Sequence, residues 1–191
     1  MCSKVRDSGM PVEKLWNEFF DIDLILSELQ IDSQLTDLVE IGSGYGTFTI
    51  PTAKRITAKL YAYDIDIEMI ECLEEKLSNQ HIENVILEQR DILSQTTGLA
   101  DSSIDYVMLF NILHHDSPID FLNECYRILK VNAKVGIIHW RSDILTPRGP
   151  DLSIRPTPEQ IIAWVDKTKF RIYKEPFFLK PYHYGLIISK V

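Results

Sequence analysis

Three glycines stand at alternate positions in VEIGSGYGTF, residues 39–48: Gly42, Gly44 and Gly46. They follow a short apolar run carrying one acid, Glu40, and they precede a stretch with helical spacing. Glycine weakens the interior of a helix or strand by about 0.5–1 kcal/mol, so three within five residues mark a turn. A glycine turn between a strand and a helix lets a ligand reach main-chain amides and the helix N-terminus. A strand, turn and helix of this kind also constrain the fold, because such units assemble into α/β sheets with parallel strands.

The rest of the chain alternates in the same way. Strand-like runs fall at Leu38–Ile41, Lys59–Tyr63, Asn84–Leu87, Ile104–Phe110 and Lys134–Trp140. Helical patterns lie between them. One covers Phe48–Ile56 and is bent at Pro51, which cannot donate its backbone bond. Another places Met69, Ile70, Leu73 and Leu77 on one face, and a third does the same with Phe121, Leu122, Cys125, Ile128 and Leu129. Ser117–Asp120 and Thr157–Gln160 both read as capping boxes with proline at the first helical position, the second opening a helix through Val165. Two final strands, Phe170–Tyr173 and Tyr184–Ile188, are too close for a helical crossover and must form an antiparallel hairpin.

The expected fold is therefore a doubly wound, mostly parallel seven-stranded α/β sheet, Rossmann-like, with a C-terminal antiparallel hairpin. Residues 34–191 form that domain. Residues 1–33 form a loose tail (1–10) and cap helices: Val12, Leu15, Trp16, Phe19 and Phe20 share a stripe after Pro11, and a second short helix covers Leu24–Leu29. Ligands of such sheets bind at the carboxyl ends of the strands, where the strand order reverses, and the glycines follow the first strand.

Composition narrows the partners. The net charge is −8, which disfavours nucleic acid and anionic membrane surfaces. No apolar run approaches the ~20 residues that span a bilayer. Cys2, Cys72 and Cys125 form no paired motif, and an odd count with no apolar leader points to a reduced, cytoplasmic setting. Among the histidines no H-x-x-x-H spacing supports a metal site, and none is expected.

Two cofactor classes compete for the glycine turn. A dinucleotide usually wants G-x-G-x-x-G, but here Thr47 stands where its third glycine would fall. Glu40 puts negative charge near the turn, which suits a cationic ligand better than a pyrophosphate. VEIGSGYGTF resembles motif I of the class I S-adenosylmethionine-dependent methyltransferases, acid-x-G-x-G-x-G, and the likeness extends over about residues 38–191. In detail the chain is similar to the small-molecule branch that includes the ubiquinone and menaquinone methyltransferases.

That resemblance implies a cofactor site. Glu40, Gly42, Ser43 and Gly44 belong to the turn. YAYDIDIEMI, residues 61–70, supplies Asp64 as the acid that takes the ribose hydroxyls, with Ile65 beside it; Asp66, two residues on, is the competing choice. QRDIL, residues 89–93, supplies Asp91 for the adenine amino group and Ile92 to cover the ring. FNILHH, residues 110–115, passes beneath the methionine part, bringing Asn111 there, and opens into the acceptor pocket. The cofactor so implied is S-adenosylmethionine and the partner is a small-molecule methyl acceptor, with protein side chains next; FNIL stands in place of the N/D-P-P-Y/F motif of amine-methylating nucleic-acid enzymes.

Candidate acceptor-side residues are Trp16, His114, His139, Arg141 and Arg148. The histidines invite a general-base role, against simple packing. Residues 139–156 form a long loop rich in proline and arginine (Arg141, Arg148, Arg155), which either presents a cation to an anionic acceptor or is a solvated connection. Tyr126 and Lys130 match Y-x-x-x-K of short-chain dehydrogenases, but after the fourth strand rather than the fifth, which makes the match a coincidence. A non-catalytic cofactor-binding relative and an NAD(P)-dependent oxidoreductase are the alternative readings. No catalytic residue is assigned, because methyl transfer from a sulfonium needs no compulsory acid or base.

Overall fold

The computed structural model describes residues 12–191. The expected tail, and the helix-starting role of Pro11, lie outside the described residues. Seven strands form one sheet: β1 (Leu38–Ile41), β2 (Leu60–Asp64), β3 (Val85–Gln89), β4 (Ile104–Phe110), β5 (Leu129–Trp140), β6 (Phe170–Leu179) and β7 (His183–Lys190), in the order β3-β2-β1-β4-β5-β7-β6. The first five are parallel; β7 runs antiparallel between β5 and β6. The order reverses between β1 and β4, so the crevice at their carboxyl ends is the topological switch point.

Helices cover both faces: α1 (Glu13–Asn17), α2 (Ile22–Glu28), α3 (Thr49–Arg55), α4 (Ile67–Asn79), α5 (Ile92–Gln95), α6 (Pro118–Ile128) and α7 (Pro158–Trp164). Strand alternation sorts the core into two layers. Val39, Ile41, Val107 and Leu109 pack with Phe121, Leu122 and Ile161 on one side. Leu38, Leu60, Tyr106 and Met108 pack on the other with Trp16, Phe20, Ile25, Leu26 and Ala53. The N-terminal helices thus share a core with the sheet.

Several local expectations are corrected. The aromatic stripe is not one helix: α1 stops at Asn17, and Phe19 and Phe20 lie in the turn before Asp21, whose side chain caps α2 by accepting from the Leu24 amide (3.1 Å). At Thr157 the capping box forms in full. At Ser117 it does not: the side chain makes no cap bond, and Asp120 N–H is taken by the Ser117 carbonyl. Pro51 skips one helical bond between those of Ile50 to Gly46 and Thr52 to Phe48. β6 runs on to Leu179, well past Tyr173, along the edge of the sheet. Lys130 lies on β5 and pairs with Asp105 (2.9 Å), while Tyr126 packs on Phe170, so the Y-x-x-x-K residues do not act together.

Candidate functional site

The glycine turn closes over the end of β1. Gly42 and Ser43 both donate to the Tyr63 carbonyl (2.8 and 3.0 Å), which ties the turn to β2. Gly42, Gly44 and Gly46 all have positive φ (84°, 50° and 80°), a region L side chains resist. Space adds a second demand. A Cβ on Gly46 would stand 2.4 Å from Leu73 Cδ1 on α4, and one on Gly42 would stand 3.2 Å from Ile112 Cδ1. Packing therefore demands glycine at Gly46 and crowds Gly42.

The middle glycine meets a carboxylate. Gly44 N–H donates to Asp64 Oδ2 (2.7 Å), and Asp66 N–H donates to Asp64 Oδ1 (2.9 Å). Asp64 ends β2 beside the turn, and burial raises its pKa against the pull of these bonds. Asp66 instead caps α4, accepting from Glu68 N–H (2.9 Å). Geometry thus separates the two acids, and Asp64 is the one facing the turn. Ile65 is half-buried and its carbonyl accepts from Gln89 Nε2 (3.2 Å).

Glu40 lies under the turn, 2% exposed, and accepts from Thr49 Oγ1 at the start of α3 (2.6 Å). Burial pushes its pKa up to about 8; the Thr49 bond opposes this and the Asp64 charge adds to it. A carboxyl so placed is poised to ionise when a cation arrives. Asp91 caps α5, accepting from Leu93 N–H (3.1 Å) and Ser94 Oγ (2.8 Å), and Ile92 beside it is buried. Asn111 follows β4 with φ 57° and donates its N–H to Ile138 O (2.8 Å). Its Oδ1 and Ser43 Oγ are buried without partners among the described residues, on either side of the switch point. Buried orphans of this kind fit a polar ligand lying across β1 and β4.

The other wall of the crevice is aromatic. Phe48 follows the turn, and its ring meets Phe110 at the end of β4 (4.9 Å) and Phe20 (5.0 Å). Trp16 is buried against Phe20 and Trp140 (5.0 and 6.0 Å). Asn17 Oδ1 accepts from Thr47 Oγ1 (2.7 Å), and Lys76 joins Glu13 (2.7 Å) to the Tyr45 carbonyl (2.8 Å), so α1 is strapped to the glycine turn. None of these contacts is visible as a motif, since each joins segments distant in sequence.

Of the histidines, His114 and His139 are buried with rings 5.5 Å apart, on the opposite side of the sheet from Trp140. Burial, then the nearby His114, holds His139 well below the usual imidazole range. His183, which sequence reasoning missed, is buried beside Trp140. In the 141–156 loop, Arg141 is paired with Asp143 (2.7 Å) and lies 4.5 Å over the Phe178 ring, and Arg148 is exposed. Arg155 turns inward instead, donating to the carbonyls of Pro150 (2.8 Å), Arg141 (3.0 Å) and Arg148 (3.4 Å). No group of three metal-ligating side chains, and no helix long and apolar enough to cross a membrane, occurs among the described residues.

The strand order, with β7 inserted antiparallel and the glycine turn at the reversal, is a Rossmann-like methyltransferase fold. Residues 38–132, from β1 into β5, match the methyltransferase domain family. That match covers just under half of the chain, and in it and in its fold the chain is similar to the class I S-adenosylmethionine-dependent methyltransferases. It is 28% identical over 125 residues (65% of the chain) to an uncharacterized methyltransferase-like protein of Schizosaccharomyces pombe, of which the match covers 46%. The chain thus spans less than half the length of that relative. Among solved structures it is similar to a candidate type 11 methyltransferase of Sulfolobus solfataricus, with TM-score 0.70 and 28% identity over 88% of this chain and 90% of that one. A SAM-dependent methyltransferase of Aquifex aeolicus shares the fold with TM-score 0.81 and 22% identity, over 91% and 92% of the two chains.

Proposed function

We propose that the chain binds S-adenosylmethionine across the carboxyl ends of β1, β2 and β4 and transfers its methyl group to a small molecule. The observation that carries this reading is the pairing of Gly44 with Asp64 beside a buried, protonatable Glu40. When bound, S-adenosylmethionine supplies a methyl group already activated by a positive sulfur. The chain's own residues hold and shield. Asp64 keeps lone pairs on both carboxylate oxygens for vicinal hydroxyls, which charge-assisted bonds favour. Asp91 and Ile92 border the place for a base. Ser43 and Asn111 offer their unpartnered oxygens to polar groups, and Glu40 gains a cation when it ionises. The aromatic wall excludes water from the acceptor side, and holding reactants in line supplies roughly 7–11 kcal/mol in favourable cases.

The net charge of −8 supports a small or uncharged acceptor over nucleic acid. Calorimetry with S-adenosylmethionine and with NAD is the first test, followed by an assay for S-adenosylhomocysteine release against metabolite fractions. Binding of NAD alone refutes the reading. Binding of S-adenosylmethionine with no transfer to any fraction favours a non-catalytic relative.

A further inference from the structure

α5 carries Asp91 at its start, and its far end is strained. Thr96, the residue that closes it, has φ 56° and ψ −176°. Among the described non-glycine residues with positive φ it alone is β-branched. For such a side chain this backbone is an outlier, and it persists only where the surroundings hold it. Thr97 shows how it is held. This residue is 2% exposed and tied at every polar group. Its N–H and Oγ1 both donate to Glu124 Oε1 on α6 (2.7 and 2.6 Å). Its carbonyl accepts from the Tyr63 hydroxyl (3.0 Å). Glu124 is buried in turn, and Arg127 donates to both of its oxygens (2.9 and 2.7 Å). Tyr63 joins this clamp to the crevice: its carbonyl holds the Gly42 and Ser43 amides, and the next residue is Asp64.

We propose that Thr96 and Thr97 are positioning residues for the base of the cofactor: the clamp on Thr97, transmitted through the strained Thr96, holds α5 so that Asp91 meets the amino group of the base already in place. The proposal rests on the methyltransferase reading above and deepens it. α5 is a single turn, Ile92–Gln95, and a helix of that length has no stability of its own. Its place is set by the burial of Ile92 at one end and by Thr97 at the other. A segment ordered before the ligand arrives removes an ordering cost from binding. Glycine at 96 would adopt the observed backbone without strain, but it would also open many other backbone states between α5 and the clamp. Threonine there lowers stability and keeps the connection stiff. A clamp that served only to join α5 to α6 would gain nothing from that strain.

The test compares the full chain with Thr96→Gly, Thr97→Val and Thr97→Ser by thermal melting and by calorimetry. The ligands are S-adenosylhomocysteine and S-inosylhomocysteine, whose base carries an oxygen where adenine carries the amino group. The wild type is expected to prefer the adenosyl ligand by at least about tenfold, a factor ordinary for one buried hydrogen bond. Thr96→Gly is expected to melt no lower than wild type, yet to cut that preference by at least about threefold, the scale of ordering one segment on binding. Thr97→Val, which loses the hydroxyl bond to Glu124, is expected to melt lower and to lose the preference as well; Thr97→Ser, which keeps that bond, should restore both. A purely structural role moves the melting temperature and leaves the ratio of affinities alone. The proposal is overturned if Thr96→Gly keeps the full preference or melts below wild type, or if Thr97→Val melts lower with the ratio unchanged. A wild type that binds neither ligand overturns the methyltransferase reading and the proposal with it, and one that binds both equally overturns the proposal alone.

Discussion

Replacing Glu40 with glutamine should make the protein more stable, and more so as pH rises. The carboxyl group is buried and keeps its proton up to about pH 8, against 4.5 for the free side chain. Below the lower value both folded and unfolded chains hold the proton, and the contribution to stability is fully present. Between the two values the unfolded chain releases a proton that the folded chain retains, so stability falls by about 1.4 kcal/mol per pH unit. Above the upper value it is lost and the curve is flat. The sum is about 3 kcal/mol by pH 7 and about 5 kcal/mol over the whole window. Glutamine cannot ionise, and its amide oxygen can still accept from Thr49 Oγ1.

The assay is urea unfolding of both proteins at several values from about pH 4 to about pH 9, reading the difference between them. The difference matters because other groups titrate in this range. Asp64, raised by burial, acts in the same direction. His139 and His183, lowered by burial, act oppositely: the unfolded chain takes up protons as pH falls, so they remove stability on the acid side. Both contributions cancel in the subtraction. A difference near zero at pH 4 that grows by about 3 kcal/mol at pH 7 supports the assignment. A flat difference, or a glutamine variant less stable at neutral pH, refutes it and means that Glu40 is ionised in the free protein. The same carboxyl group predicts proton release when S-adenosylmethionine binds at pH 7, detected as a buffer-dependent binding enthalpy and absent in Glu40→Gln.

Three further outcomes are expected. Asp64→Ala should weaken S-adenosylmethionine binding by about 10–100-fold, the scale of a lost charged hydrogen bond; Asp66→Ala should keep the affinity and lose about 1 kcal/mol of stability with its cap on α4, and calorimetry and melting together separate the two. Gly46→Ala should destabilise by about 1–3 kcal/mol through its positive φ and the Leu73 contact, and Leu73→Ala should cost less in the Gly46→Ala background than in wild type, which a double-mutant cycle measures. Arg155→Met should leave three loop carbonyls without their donor and raise protease cleavage within residues 141–156, with S-adenosylmethionine affinity unchanged.

The parts of the fold legible in the sequence are those fixed by neighbours along the chain. IDYVMLF is strand at the expected residues because seven consecutive residues of strand composition leave no helical alternative. The glycine turn is legible for the same reason, as is the Thr157 box, whose two bonds span three residues. What failed depended on the third dimension. Ser117 has the right spelling, but its own backbone N–H is drawn to His115 Nδ1 (3.0 Å), and no cap bond forms. β6 extends past Tyr173 because β7 pairs with Lys174 and again with Phe177–Leu179, and Glu175 and Pro176, whose composition argues against a strand, fall in the register shift between them.

The site divides along the same line, and for a physical reason. The resemblance chooses Asp64 over Asp66 from the sequence, yet the physical difference between them, that one acid bonds across to Gly44 while the other bonds two residues along, appears only in the fold. Glycine spacing identifies a turn without saying who needs it. Gly46 is required by Leu73 on α4 and Gly42 is crowded by Ile112, so only Gly44 has a backbone amide turned to the carboxylate a ligand would share. His183 is the extreme case. Its sequence neighbours, Tyr182 and Tyr184, suggest an ordinary strand, and its character comes from antiparallel register with Trp140 and from a ring donated by the far end of the chain. A motif records chemistry between residues that lie close in sequence. Specificity for an acceptor is assembled from residues that meet only after the sheet closes, so the cofactor side of such a protein is read from its sequence earlier than the acceptor side.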